Sequence, residues 1–226
     1  MKTQFLIYSV LSFFVLTFVS CNPKKYVEDK INETIAEEIT GAMIGTDVET
    51  SNISDTEKAT GQLDLTIDGK HLNSKINQPV FQIASGAGKE SEKVVIATML
   101  SMQTQDGKES GLQFGISGNK NQFKTSMVIN FEDVGKDDKV SPTLQIITTG
   151  KATDTNPMGM QIIVVKTGTL KVLSFSDEEV KFEIDAMGGP NTAETHEGKN
   201  LVPIKGTITC KYPVMTFMGV KKDEIF

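Results

Sequence analysis

Gly61-Gln62-Leu63-Asp64-Leu65-Thr66-Ile67-Asp68-Gly69 sets a period of two along the chain. Leu63, Leu65 and Ile67 alternate with Asp64 and Thr66, so one face of this segment is apolar and the other polar, as in a half-buried strand. Asp68-Gly69 then supplies the dipeptide of a tight hairpin turn. The same grammar continues outward. Val80–Ala84 and Val94–Met102 are short apolar runs, the second meeting Asp106-Gly107. Leu112, Phe114 and Ile116 alternate before Gly118-Asn119, and Phe123–Phe131 follows. Leu144–Thr148, Gln161–Val165, Thr169–Phe175, Val180–Ala186, Leu201–Cys210 and Val214–Val220 complete eleven strand-like segments. Most are separated by Gly, Asn or Asp, and helical periods are absent after Ile44. The expected body is mostly β, an antiparallel sandwich or barrel-like meander over residues 61–226, because alternating βα units are missing. The length fits one domain or two small ones; no clean linker divides it, and the loop Thr153–Gly159 is the best candidate seam.

Composition narrows the function. The 226 residues carry 23 basic and 29 acidic side chains, a net charge of −6, and every basic residue is Lys. An acidic surface is unsuited to neutralising phosphates. The lack of Arg removes bidentate contacts to phosphate and guanine that Lys does not reproduce. No nucleic-acid partner is expected. Trp is absent too, and 2 His with 2 Cys leave little material for a metal site.

Upstream of the β region, Lys24–Ile44 reads as an amphipathic helix. Val27, Ile31, Ile35, Ile39 and Met43 recur every fourth residue, with Glu28, Asp29, Glu33, Glu37 and Glu38 off that stripe. Gly41 and Gly45 weaken and end it. It packs one side onto a domain, or serves as a stalk or a helix that binds a protein partner near a membrane; its acidic face is unsuited to direct headgroup contact. Thr46–Thr60 is polar and aperiodic, a linker or irregular loop.

The first 21 residues are more specific. Lys2 supplies a positive start, Phe5–Val19 an uncharged apolar run, and Ser20 a small residue before Cys21. About 20 apolar residues are needed to span a bilayer, so this run has the anatomy of a secretory signal peptide over residues 1–20. Phe18-Val19-Ser20-Cys21 resembles the lipobox of a bacterial lipoprotein precursor. The resemblance implies that Cys21 receives a diacylglycerol, that cleavage precedes it, and that its new amino group is acylated. A cleaved soluble form and an uncleaved anchor are the alternatives. Several acyl chains at roughly 0.8 kcal/mol per buried CH₂ would hold the body to a membrane. By the same resemblance, Asn22 lacks the inner-membrane retention signal, which favours the outer membrane. Pro23-Lys24-Lys25 lacks an acidic export run, which tips the expected side toward the periplasm rather than the cell surface. Cleavage removes Lys2 and no acid, so −6 becomes −7, and it takes four of the 12 Phe. With Cys21 lipidated, Cys210 is a lone thiol.

A second resemblance covers the β region. Thr66-Ile67-Asp68-Gly69-Lys70 opens it, and Gly168-Thr169-Leu170, Phe175, Asp177, Glu178, Val180, Phe182 and Gly206-Thr207-Ile208 close it. The layout is similar to small uncharacterised β-rich lipoproteins of Gram-negative bacteria; it implies a fold and a location and no activity.

Reactive groups are few. His71 follows a hairpin turn, and His196 lies in the polar stretch Asn191–Asn200 near Glu194 and Glu197. No Gly-x-Ser-x-Gly elbow accompanies them, so both read as exposed loop residues rather than members of a Ser–His–acid site. Cys210 falls in the alternating strand Thr207–Cys210 and reads as a core residue rather than a nucleophile. Met158, Met160, Met187, Met215 and Met218 have soft-ligand chemistry, but Met also fills irregular core gaps. Asp154, Asn156 and the acids from Glu132 to Asp138 lack the calcium-loop pattern. Carboxylate pairs occur in any acidic chain and carry no hydrolase signature here. No catalytic, metal or cofactor residue is therefore expected, and Cys21 is the one modified position. The expectation is a lipid-anchored envelope protein with a non-catalytic binding or structural role. The alternative is a lipocalin-like carrier of a small apolar ligand; a closed barrel of about eight to ten strands with an apolar hollow favours it, and a sandwich with a filled core counts against it.

Overall fold

The computed structural model describes residues 48–51, 57–85, 92–104, 109–124, 126–134, 136, 139–149 and 159–225. The signal segment, Cys21 and the expected helix at 24–44 lie outside them. Within the described residues, which belong to the unit Asp47–Phe226, there are twelve strands: β1 (Val48–Ser51), β2 (Thr60–Ile67), β3 (Lys70–Asn77), β4 (Val80–Ser85), β5 (Lys93–Thr104), β6 (Glu109–Asn119), β7 (Val128–Asn130), β8 (Ser141–Thr149), β9 (Met160–Phe175), β10 (Glu179–Pro190), β11 (Val202–Lys211) and β12 (Val214–Met218).

Eight of them close a barrel. The ring runs β5-β3-β2-β11-β10-β9-β8-β6, and β6 pairs again with β5. An eight-stranded ring has an interior about wide enough for side chains to fill. Inward positions carry Leu63, Leu65, Leu112, Ile146, Leu170 and Ile204, all 0% exposed, which leaves no water-sized gap against any of them. Phe114 and Phe182 meet inside at 4.7 Å between ring centres, and Phe175 joins Phe182 at 6.4 Å. Such a buried aromatic contributes about 1.5–3 kcal/mol over exposure.

The hairpin expected at Asp68-Gly69 forms, and its second arm is β3, a segment whose sequence Lys-His-Leu-Asn-Ser-Lys-Ile-Asn does not read as a strand. Its inward positions are Leu72, Ser74 and Ile76, and the polar Ser74 in the middle breaks the apolar alternation. Two expected segments, Gln161–Val165 and Thr169–Phe175, are one strand, β9. Its register against β10 slips by one residue at Lys166 and again at Leu173. Each bulge inserts an extra residue and shifts the alternation. Val165, Leu170, Val172 and Phe175 therefore all reach the core despite their mixed odd and even spacing. The candidate seam at Thr153–Gly159 is bridged, since β8 and β9 pair with each other. Phe123–Phe131 is not a continuous strand: β7 occupies only its last third, followed by a 3₁₀ turn at Phe131–Asp133. Within the stretch expected to be a linker, β1 pairs with β12.

One ladder departs from the antiparallel expectation. β2 starts at Thr60, which faces both Asn77 at the end of β3 and Lys211 at the end of β11. Beyond that point the two flanking strands have lost the strand between them. Each turns at a left-handed residue followed by Pro and Val, Gln78 (φ 45°) and Tyr212 (φ 47°). Their continuations β4 and β12 then pair directly and in parallel, from Val80↔Val214 to Ala84↔Met218. Phe81, Ile83, Met215 and Phe217 on these strands are fully buried and join the barrel core, with Phe81 edge-on to Phe175.

A cleft at the barrel seam

Two ladders of the ring are short, three residue pairs between β3 and β5 and five between β8 and β9. β6 pairs with β8 from Ser141 to Thr148, whereas β9 pairs with β8 only over Gln145–Thr149. Alongside the rest of β9, the place of β8 is taken by β7, which pairs Val128, Ile129 and Asn130 with Lys171, Leu170 and Thr169. Ile129 shares the inward face of Leu170, and Phe131 follows it into the same core; they are 3% and 2% exposed. An insert thus plugs the seam with two apolar side chains.

Polar contacts hold it there. Both carboxylate oxygens of Glu132 accept from the Gly168 backbone N–H at 3.2 Å. Gly168 sits at φ +100°, where a side chain is disfavoured, and an added Cβ would lie 2.5 Å from the Ala186 backbone. Asn130 Nδ2 donates to Asp133 at 3.3 Å and Lys136 Nζ at 2.6 Å. The Lys136 ammonium, with help from Asn130, holds the Asp133 carboxyl below its ordinary value.

Between this insert and the chain leading into β8 lies a cleft of about 290 Å³. Met127, Ile129 and Val140 give it apolar surface, and Asn130, Asp133 and Lys139 give it polar groups. Val128, which lines it, is 58% exposed, and Val134, next in the chain after Asp133, is 51% exposed. The surface of the cleft is more polar than apolar, so it suits a hydrogen-bonding occupant better than an apolar one. The cleft holds a carboxylate, the two amides of Gln122 and Asn130, and an ammonium, and its lining carries no hydroxyl or thiol nucleophile. Sequence reasoning missed it because Phe123–Phe131 reads as one strand and Glu132-Asp133 as a solvated turn; the break between them has no Gly or Pro to mark it.

The residues singled out in the sequence are scattered. His71 Nε2 meets Asp64 Oδ1 at 2.7 Å across the β2–β3 hairpin, on the exposed outer wall. His196 ends the single helical turn α1 (Ala193–His196) and pairs with Asn191 at 2.7 Å, also exposed. Cys210 is wholly buried, and burial pushes its thiol up to about 12. Met215 is in the core, Met187 and Met218 are half-buried, and Met160 is exposed. Met158, Asp154, Asn156 and Asp138 lie outside the described residues. Among the described residues no three His, Cys, Asp or Glu side chains gather into a metal-sized group, and no helix is long and apolar enough to cross a membrane.

Two groups inside the barrel lack partners. Ser74 shares the inward face of Leu63, and Ser110 that of Met102; both hydroxyls are buried and make no hydrogen bond. An unsatisfied buried hydroxyl costs about 1–3 kcal/mol. Comparison with known proteins finds no family model, no curated protein and no solved structure that matches the chain.

Proposed function

We propose that this chain is a lipid-anchored cell-envelope protein, held at the outer membrane by acyl chains on Cys21, whose β-barrel has a non-catalytic binding or structural role. Phe18-Val19-Ser20-Cys21, placed after a short uncharged apolar run, carries the anchor reading. The seam cleft, with its mostly polar surface, supports binding. The exposed positions of His71 on the barrel wall and His196 at the end of a helical turn, and the buried, protonated Cys210 thiol, support a role without catalysis. Replacing Cys21→Ala should abolish acyl labelling and release the protein from the membrane fraction; undiminished labelling and retention would defeat the anchor. If an activity is found, loss of it in His71→Ala or His196→Ala would overturn the non-catalytic assignment.

A second reading, a carrier of a small apolar ligand, draws on the closed ring of eight strands and on the two unpartnered hydroxyls inside it. Native mass spectrometry of the purified protein checks it. A co-purified lipid-sized adduct is expected, and its absence together with no uptake of added amphiphile would remove the carrier.

A further inference from the structure

We propose that β7 and the turn after it, residues 128–133, form a lateral gate through which an amphiphile with a long apolar chain and a terminal hydrogen-bonding group enters the barrel. This rests on the carrier reading. The interior is filled where it is described, so a ligand needs space that the protein can vacate. Most of the core is carried on strands paired along both edges. Ile129 and Phe131 are different: they reach the same core from a three-residue strand paired to β9 and the turn that follows it. Its side chains can leave without breaking the ring, because β8–β9 pairing over Gln145–Thr149 is separate from it.

Three further observations point the same way. The 290 Å³ cleft lies along the line where the insert would part from Val140 and the start of β8. The tie from Glu132 to the Gly168 N–H is exposed, so water can replace it. Inside, the Ser74 and Ser110 hydroxyls are buried without a partner; Ser110 faces Thr148, beyond the stretch of β8 that β9 leaves uncovered, so a long chain is needed to reach it from the insert. The apolar chain of the ligand takes the volume left by Ile129 and Phe131, and its polar end bonds to one of these hydroxyls.

The test uses 11-(dansylamino)undecanoic acid as the probe. Asn130 and Thr169 are directly opposed across β7 and β9, a separation that a disulfide can bridge. In the double variant Asn130→Cys/Thr169→Cys, with the bond verified by mass, oxidation should lower probe affinity at least tenfold and reduction should restore it. Glu132→Ala should raise the association rate several-fold in stopped-flow fluorescence. Ser110→Ala or Ser74→Ala should weaken binding about 2- to 10-fold, the range of one hydrogen bond. Equal binding in the oxidised and reduced forms overturns the gate while leaving the carrier in place. An unchanged rate in Glu132→Ala also counts against the gate. Unchanged affinity in both serine variants overturns the assignment of the polar end. A parent protein that takes up no probe fails the carrier reading itself.

Discussion

Cys210 shows how much a single residue's pattern can disclose. It ends an alternating run, Thr207-Ile208-Thr209-Cys210, and the alternation alone places it on the apolar face, where the structure finds it. Burial raises its thiol from an ordinary 9.0 to about 12. A raised value means that stability is whole below pH 9 and is lost as pH climbs toward the folded-state value, since the unfolded chain releases the proton first. Native protein should therefore resist iodoacetamide and react once unfolded; modification of Cys210 in the folded state would contradict its burial. Cys210→Ala should also show a shallower fall of the melting midpoint between pH 9 and 11 than the parent. Gly206 is the other informative position. It adopts φ +143°, and a Cβ there would lie 2.0 Å from the Asp64 carbonyl oxygen. Gly206→Ala should cost roughly 3 kcal/mol or more, read by urea denaturation. Ser74 was illegible for the opposite reason: a polar residue on the inward face erases the period that identifies a strand.

Among the elements, those with an unbroken period were readable and those with a shifted one were not. β2, β6 and β10 keep one phase throughout, with inward residues at every second position. β9 changes phase twice, so it reads as two strands with a gap, and only its pairing with β10 reveals one. The bulge at Lys166 is structural, and deleting that residue would put one side of β9 out of register, moving its apolar set to the wrong face. Deletion of Lys166 should therefore prevent folding or lower the melting midpoint by more than ten degrees, whereas Lys166→Ala should change it little. Circular dichroism melts distinguish the two. β7 is the harder case. Three residues are too few to show a period, and what positions them is the edge of β9 left uncovered by β8, a non-local fact.

For the whole molecule, the alternation and turn dipeptides established a mostly β body, but closure was beyond them. A sandwich and a barrel have the same local pattern; they differ in whether the early β2–β3 hairpin finds β11 on one side and β5 on the other, which closes the ring. Electrostatics act at this scale too. Glu179 is held below its ordinary value by Lys211, and Glu224 by the Lys221 backbone N–H and Lys120. Asp133 is held down at the seam. Lowered values mean that the stabilisation is complete above the ordinary 4.5 and 3.8 and disappears as pH falls through the lowered ones. The melting midpoint should stay level from pH 7 to about 5 and decline below about 4.5. Glu179→Gln should make that decline shallower; an identical acid profile would show that the Lys211 pair contributes nothing.

The late position of β12 in the chain has a consequence for the order of assembly. It lies between β1 and β4, strands that leave the ribosome well over a hundred residues before it. β2 likewise waits for β11 to occupy one of its edges. Until both arrive, the early hairpins carry open hydrogen-bonding edges and uncovered apolar faces, the combination that invites association with other chains. Folding of this barrel is therefore a single late event. A chain stalled before residue 214 should depend on chaperones to remain soluble.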